Sequence, residues 1–145
     1  MHLDSGDVVA KDESAAARYF NLSAYGNDAN GMFNLALALA NGHGVEKDEQ
    51  LAALWYQRAG DRGNAPAMNN LGLLYMNGRG VDRDPAAAIA LWHKAAAAGN
   101  RDAMTNLAKA YREGAGVPVN QNQAEEWQRR ADSAASGRVP SSIDN

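Results

Sequence analysis

The sequence predicts an all-α protein, a right-handed α-solenoid of antiparallel helix pairs. The first observation is a period of 36 residues, at which Gly44, Gly80 and Gly116 follow one another. The second is that apolar residues within each copy recur at the spacing of an amphipathic helix. The third is composition: alanine, which favours helix, supplies much of the 46% hydrophobic content. A fixed period of this size is the sequence signature of a solenoid.

The repeats predict a single solenoid domain over residues 1–136 and a C-terminal tail, 137–145, rich in serine. A capping half-repeat is expected at 12–28, because Tyr19 falls one period before Trp55 and so belongs to the second half of a repeat. The full repeats are expected at 29–64, 65–100 and 101–136.

The first helix of each repeat, helix A, is expected from about Ala65 to Met76 in the middle copy. Its apolar stripe consists of Ala67, Leu71, Leu74, Tyr75 and Gly78. Gly72 lies beside this stripe, although glycine inside a helix costs about 1 kcal/mol relative to alanine. We therefore expect the backbone of the neighbouring second helix to pass close to Gly72.

The loop after helix A carries two glycines, Gly78 and Gly80, which suit a helix C-cap with positive φ followed by a tight return. Val81 is expected to fill the apolar gap between the two helices. Asp84 is expected to cap the second helix, with Pro85 at its first position, where a missing N–H is harmless. A nucleotide-binding interpretation of the glycines fails, because no strand is predicted before them and a third glycine is missing.

The second helix, helix B, is expected from Pro85 to about Ala98, with Leu91 and Trp92 facing inward. Large apolar side chains at helical spacing are normally buried, so these aromatic positions predict core between repeats rather than a ligand-binding cage. The last helix B, from Gln123 to about Ala135, is more polar. Such a helix suits a terminal repeat, which must present one face to water.

The repeated unit follows the pattern A-x-x-N-L-[GA]-x-x-[YL]-x-x-G-x-G-V-x-x-[DN]-x-x-x-A-x-x-[WL]. From about Asp12 to Ala135 this pattern resembles the Sel1-like repeat, a relative of the tetratricopeptide repeat. The chain departs from it at Gly31, at Leu39 and in the place of Trp92, and it lacks the cysteines of the disulfide-rich branch. The resemblance implies an α-solenoid that holds protein partners as a scaffold or adaptor. In bacteria it implies links to the envelope, to host interaction or to immunity against secreted effectors.

Several classes of function are not expected. The net charge of −3 comes without a basic stripe, so we expect no nucleic-acid partner. No apolar run approaches the roughly 18 residues that span a membrane. His2, His43 and His93 fall on three different elements, with His43 and His93 expected at the surface, so they predict no metal site. Since no catalytic constellation or cofactor site is identified either, we expect a protein that is not an enzyme.

The remaining candidate is a surface, the side of the A helices that lies off the packing stripe, here called the helix-A face. The family resemblance implies that it lines the concave side of the solenoid. Asn34, Asn70 and Asn106, one period apart, form a ladder on this face. Amide side chains both donate and accept, so the ladder suits equally an extended peptide or hydrogen bonds with the next repeat. The candidate partner-binding residues are Phe33, Asn34, Leu37, Asn41, Asn69, Asn70, Leu73, Met76, Asn77, Asn106, Lys109 and Arg112.

We therefore expect a non-enzymatic protein–protein interaction module that binds a protein or peptide on the helix-A face. Two alternatives stay open: a bacterial immunity protein that neutralises a secreted effector, and a cell-wall-directed hydrolase, which would need a polar cleft with convergent acids. A monomer is favoured. A periplasmic or envelope location is expected if an N-terminal signal has been removed, and a cytoplasmic location otherwise.

Overall fold

The computed structural model describes residues 28–135, and within this range the chain forms six α-helices and no strand. The helices are α1 (Ala29–Asn41), α2 (Glu49–Asp61), α3 (Ala65–Asn77), α4 (Pro85–Ala97), α5 (Arg101–Glu113) and α6 (Gln121–Ala135). The predicted all-α fold is confirmed, and the helix ends of the middle repeat agree with the sequence to within about one residue. The half-repeat expected at 12–28, apart from Asp28, and the tail expected at 137–145 lie outside the described residues.

Helices A (α1, α3, α5) alternate with helices B (α2, α4, α6). Each helix A packs most extensively against the helix B of its own repeat, and each of the first two B helices also packs on the next helix A. The helices α3 and α5 touch each other directly, whereas no two B helices in the described range make comparable contact. In the second and third described repeats, successive A helices are therefore in direct contact along the stack.

The contacts between successive repeats define two junctions. The first junction joins residues 29–64 to 65–100, and the second joins 65–100 to 101–135. Each has a core of apolar side chains, in which Leu71 and Leu107, one period apart, are 2% and 0% exposed. Val81 is half-buried and packs against the first of these cores, whose buried residues come from α1, α2 and α3, rather than only in the expected gap between α3 and α4.

Each described helix begins after an Asp or Asn side chain that accepts a hydrogen bond from the backbone N–H three residues later. The distances run from 2.7 Å at Asp28 to 3.1 Å at Asp84 and Asn120. Such a cap contributes about 0.5–2 kcal/mol, because it satisfies an amide that the helix leaves unpaired. The predicted cap at Asp84 is confirmed, and Asp48 follows the same pattern one period earlier.

The two loop glycines have different roles. Gly78 ends α3 in the left-handed region with φ 66°, and its N–H donates to the carbonyl of Leu74, which confirms the predicted C-cap. Gly80, with φ 77°, lies against the start of α2, where a Cβ would come within 2.6 Å of the carbonyl carbon of Glu49. Glu49 also forms an ion pair with Arg79. The loop is therefore a contact between repeats as well as a connection within one.

Gly72 lies under the indole ring of Trp92, not beside the backbone of helix B as the sequence suggested. A Cβ on Gly72 would lie 2.8 Å from Cδ1 of Trp92, closer than real side chains pack. The Trp92 side chain is 3% exposed, and its Nε1 donates to the carbonyl of Asn69 at 3.1 Å. The equivalent pair in the first repeat is Ala36 and Tyr56, both buried in the first core. The larger ring, that of Trp92, thus packs on the smaller helix-A residue, Gly72.

Candidate protein-binding surface

Two leucines at equivalent positions, Leu37 on α1 and Leu73 on α3, are exposed on the helix-A face. Each is 38% exposed. Half-buried Phe33 and Met76 lie on the same two helices. A single exposed leucine is ordinary, but apolar side chains repeated in register on one face form a track of the kind that partners cover.

The charge of the helix-A face changes along the stack. Neither α1 nor α3 contains a charged residue, whereas α5 has several. On α5, Lys109 occupies the position of Leu37 and Leu73, and it is exposed together with Arg112 and Glu113. The face is therefore uncharged over the first two described repeats and charged over the third.

The asparagine ladder is partly used by the stack itself. Asn34 is exposed. Asn70, in contrast, donates to the hydroxyl of Tyr56 at 3.3 Å across the first junction, and Asn106 donates to Oδ1 of Asn69 at 2.8 Å across the second. Burial raises the pKa of the Tyr56 hydroxyl. Asn70 and Asn106 thus support stacking, one of the two roles that the sequence leaves open.

Asn69 is buried, contrary to its expected place on the helix-A face. At 5% exposed, it is the one buried polar side chain among residues 28–135. Its Nδ2 donates to Oδ1 of Asn70 at 3.3 Å while its own Oδ1 accepts from Asn106, so both ends of the amide are bonded. A buried amide needs such partners. Asn69 therefore joins two repeats, and its side chain is not available to a partner on the surface.

The other candidate residues are accessible. Phe33 is half-buried against the ring of Tyr56, with centroids 6.0 Å apart, so its position is fixed by packing. The residues that the structure exposes are Asn34, Leu37, Asn41, Leu73, Asn77, Lys109 and Arg112, and those that it half-buries are Phe33, Asn70, Met76 and Asn106.

His93 is half-buried in an aromatic cluster at the second junction, whereas the sequence predicts a surface position. Its Nε2 is 3.3 Å from the hydroxyl of Tyr111, and its ring meets that of Trp127 edge-on with centroids 5.5 Å apart. Partial burial lowers the pKa of His93, because these neighbours solvate the imidazolium less well than water does. The sequence did not show this, since both aromatic partners come from the next repeat. His43 is exposed, as expected.

Features that would indicate catalysis are scarce in the described part of the chain. No group of three or more His, Cys, Asp or Glu side chains there could hold a metal ion. A cavity of about 620 Å³ at the α3–α4 loop is lined by Asp82 and Asp84, but the Asp84 carboxylate is bonded to the start of α4. Hydrogen bonds from Arg129 and Arg130 lower the pKa of the partly exposed Glu126, whereas a general acid would need a raised pKa.

A membrane-spanning helix needs roughly 18 consecutive apolar residues. None of the helices between residues 28 and 135 is both long and apolar enough to cross a bilayer.

The family model of the Sel1 repeat matches residues 1–28, 29–64, 65–100 and 101–131. The chain belongs to the Sel1 repeat family. Sel1 repeat proteins generally mediate protein–protein interaction, and they are typically non-catalytic scaffolds.

Solved structures of bacterial proteins resemble this Sel1 repeat chain. A protective antigen present in uropathogenic Escherichia coli strains, displaying an SLR fold, is 33% identical with a TM-score of 0.71 over 72% of this chain and 22% of that one. A Sel1 repeat protein from Oxalobacter formigenes is 31% identical with a TM-score of 0.70, over 74% and 43%. Helicobacter pylori cysteine rich protein B, 22% identical with a TM-score of 0.64 over 86% and 90%, shows the shared fold alone.

The chain therefore spans less than half the length of the first two of these proteins. No curated protein shows significant similarity to it.

Proposed function

We propose that the helix-A face binds an extended segment of a partner protein, with apolar side chains of the segment against Leu37 and Leu73 and an acidic residue near Lys109. One observation carries this proposal: two leucines are exposed at the same position of successive A helices, and a lysine follows them. Half-exposed leucines contribute less to folding than buried ones, since stabilisation scales with the apolar area removed from water. A partner that covers them gains that area.

The spacing of the A helices sets the spacing of the contacts. Helices that touch, as α3 and α5 do, have axes about 8–10 Å apart. An extended segment in the polyproline II conformation advances about 3.1 Å per residue with three residues per turn, so every third side chain points the same way. A bound segment would therefore meet successive A helices at every third residue, and its preferred sequence is apolar-x-x-apolar-x-x-acidic, read in one direction or the other.

Selection of random peptides displayed on phage, with the whole chain as bait, tests this preference. We expect enriched peptides to carry two apolar residues three apart and an Asp or Glu at the same interval. Joint substitution of Leu37→Ser and Leu73→Ser should weaken binding of an enriched peptide by about tenfold or more. The matched control is Leu54→Ser, because Leu54 is also exposed, at 44%, but lies on helix B. All variants should keep the helical circular dichroism of the parent chain.

Equal loss of binding in the control and in the double variant would contradict the proposal, as would enriched peptides without apolar residues. Capture from the extract of the native cell, followed by mass spectrometry, then separates two kinds of interaction protein. A scaffold would retain several proteins through the same leucines, whereas an immunity protein would retain one at equal stoichiometry.

A further inference from the structure

The first junction contains a cleft that is filled at the second junction. The cleft has a volume of about 310 Å³ and is lined mainly by Gln57, Gly60, Met68, Leu71, Leu91 and Lys94. One period later, the equivalent positions hold His93, Ala96, Met104, Leu107, Trp127 and Arg130. The place of the large indole of Trp127 is thus taken at the first junction by the smaller side chain of Leu91.

Trp127 shows what this place accommodates. Its indole packs on the core that contains Met104, meets the ring of His93 edge-on at 5.5 Å, and lies 4.8 Å from the guanidinium carbon of Arg130. A cation–π contact of this kind favours an aromatic ring over an aliphatic group of the same size, and a methionine sulfur near a ring adds to that preference. At the first junction, the cleft offers a methionine and a lysine at the corresponding positions.

The exposed fraction of the helix-A methionine differs between repeats that carry tryptophan and the repeat that carries leucine at the equivalent position of helix B. Met32 and Met104, in the repeats whose helix B carries Trp55 or Trp127, are 7% and 4% exposed. Met68, in the repeat whose helix B carries leucine instead, is only half-buried. The floor of the cleft is therefore apolar surface that the other two described repeats cover with an indole.

We propose that this cleft binds an indole ring, supplied by a tryptophan side chain of a partner, in the space beside Leu91 that the larger Trp127 fills at the second junction. Met68, Leu71 and Leu91 form the apolar floor, and Lys94 stands over the ring face as Arg130 does. None of the candidate residues of the helix-A face lines the cleft. The site is thus separate from that face, and it stands or falls independently of the function proposed above.

Titration of indole and of N-acetyl-tryptophanamide into the whole chain, labelled with ¹³C at the methionine methyl groups, tests the site. We expect the Met68 methyl resonance to shift saturably with both probes, with a dissociation constant on the order of 1 mM for fragments of this size. The resonances of Met32 and Met104 should stay in place. N-acetyl-leucinamide, which has the same backbone and no ring, should produce little shift.

Substitutions at Leu91 and at its equivalent Trp127 should remove the response at the first junction and create one at the second. Leu91→Trp fills the cleft and should weaken the response by about tenfold or more. Leu91→Ala widens the cleft and should keep the response. Trp127→Leu opens the equivalent cleft and should create a second response, at Met104. Circular dichroism identifies any variant that fails to fold. If one of the two Leu91 variants does not fold, the other still tests the proposal.

Absence of a saturable Met68 shift in the parent chain would overturn the proposal. So would an unchanged response in Leu91→Trp, or leucinamide binding as tight as that of tryptophanamide. Binding of free indole without binding of the amide would overturn the assignment to a partner side chain. A response at Met104 in Trp127→Leu without one at Met68 in the parent chain would place the site at the second junction alone and overturn it at the first.

Discussion

The packing of Trp92 on Gly72 predicts that these two residues are energetically coupled. In the Gly72→Ala variant, the new Cβ would lie 2.8 Å from Cδ1 of Trp92, whose ring is 3% exposed and held by a hydrogen bond to the Asn69 carbonyl. Alanine gains about 1 kcal/mol of helix propensity. Overpacking against a ring with so little freedom costs about 3 kcal/mol, the upper end of the usual range. We expect the free energy of unfolding to fall by about 2 kcal/mol.

The second substitution, Trp92→Tyr, should cost about 2 kcal/mol alone, through a void and one lost hydrogen bond. Combined with alanine on α3, it recreates the pair of Ala36 and Tyr56 in the first repeat. The new hydroxyl would lie toward Asn106, as the hydroxyl of Tyr56 lies toward Asn70. We therefore expect the double variant to lose only about 2 kcal/mol in total. Against a sum of about 4 kcal/mol for the single variants, the coupling energy is about 2 kcal/mol.

Urea unfolding followed by far-UV circular dichroism measures all four members of this cycle. A constant m-value shows that the variants unfold in the same transition as the parent chain. Effects that add to within about 0.5 kcal/mol would disprove the coupling. A Gly72→Ala variant more stable than the parent would disprove the steric argument itself. The reciprocal pair, Ala36→Gly with Tyr56→Trp, tests in the first repeat whether the exchange is a general property of the repeat.

Three further substitutions, two of them with a matched control substitution, probe the junctions by the same unfolding measurement. We expect Gly80→Ala to lower the free energy of unfolding by about 3 kcal/mol, because φ is 77° and the new Cβ would collide with the preceding repeat. The control Gly63→Ala has φ 94° but open space around the Cβ, so backbone strain alone should lower it by about 1–2 kcal/mol. Because the pKa of His93 is lowered on folding, the unfolded chain binds more protons. The free energy of unfolding should therefore be highest above the ordinary histidine pKa of 6.5 and decrease as the pH falls below it. His93→Gln should reduce this pH dependence. Asn69→Ala breaks a buried amide network and should lower the free energy of unfolding by about 1–3 kcal/mol. Asn34→Ala, at an exposed position, should lower it by about 0.5 kcal/mol or less. Equal losses in the two variants would contradict the assigned burial.

Features that depend on residues a few positions apart could be predicted from the sequence. The cap at Asp84 requires only an amide three residues later, and the C-cap at Gly78 only a carbonyl four residues earlier. The exposure of Leu73 follows from the helical period, because Leu71 and Leu74 define the buried stripe on either side of it. Each of these properties is complete within one repeat, so it needs no knowledge of how repeats are arranged.

Features of the junctions could not be predicted in this way, because they depend on how one repeat is rotated against the next. Asn69 and Asn70 are neighbours in sequence, yet Asn69 is buried, with its amide bonded to Asn106 on α5. The sequence did contain one usable signal. Gly72 and Trp92 differ from their equivalents in the first repeat in opposite directions of size, which is the pattern expected of two residues in contact.

The same comparison among copies separates surface positions from junction positions on the helix-A face. Asn70 is bonded to Tyr56 across the first junction, so its substitution would disturb the stack as well as the surface. Leu37 and Leu73 are exposed, and the change to Lys109 in the third repeat leaves an exposed residue there as well. Stacking therefore gives no reason for leucine at two of these positions and lysine at the third. Selection by a bound segment that is apolar along most of its length and acidic at one end would produce this order.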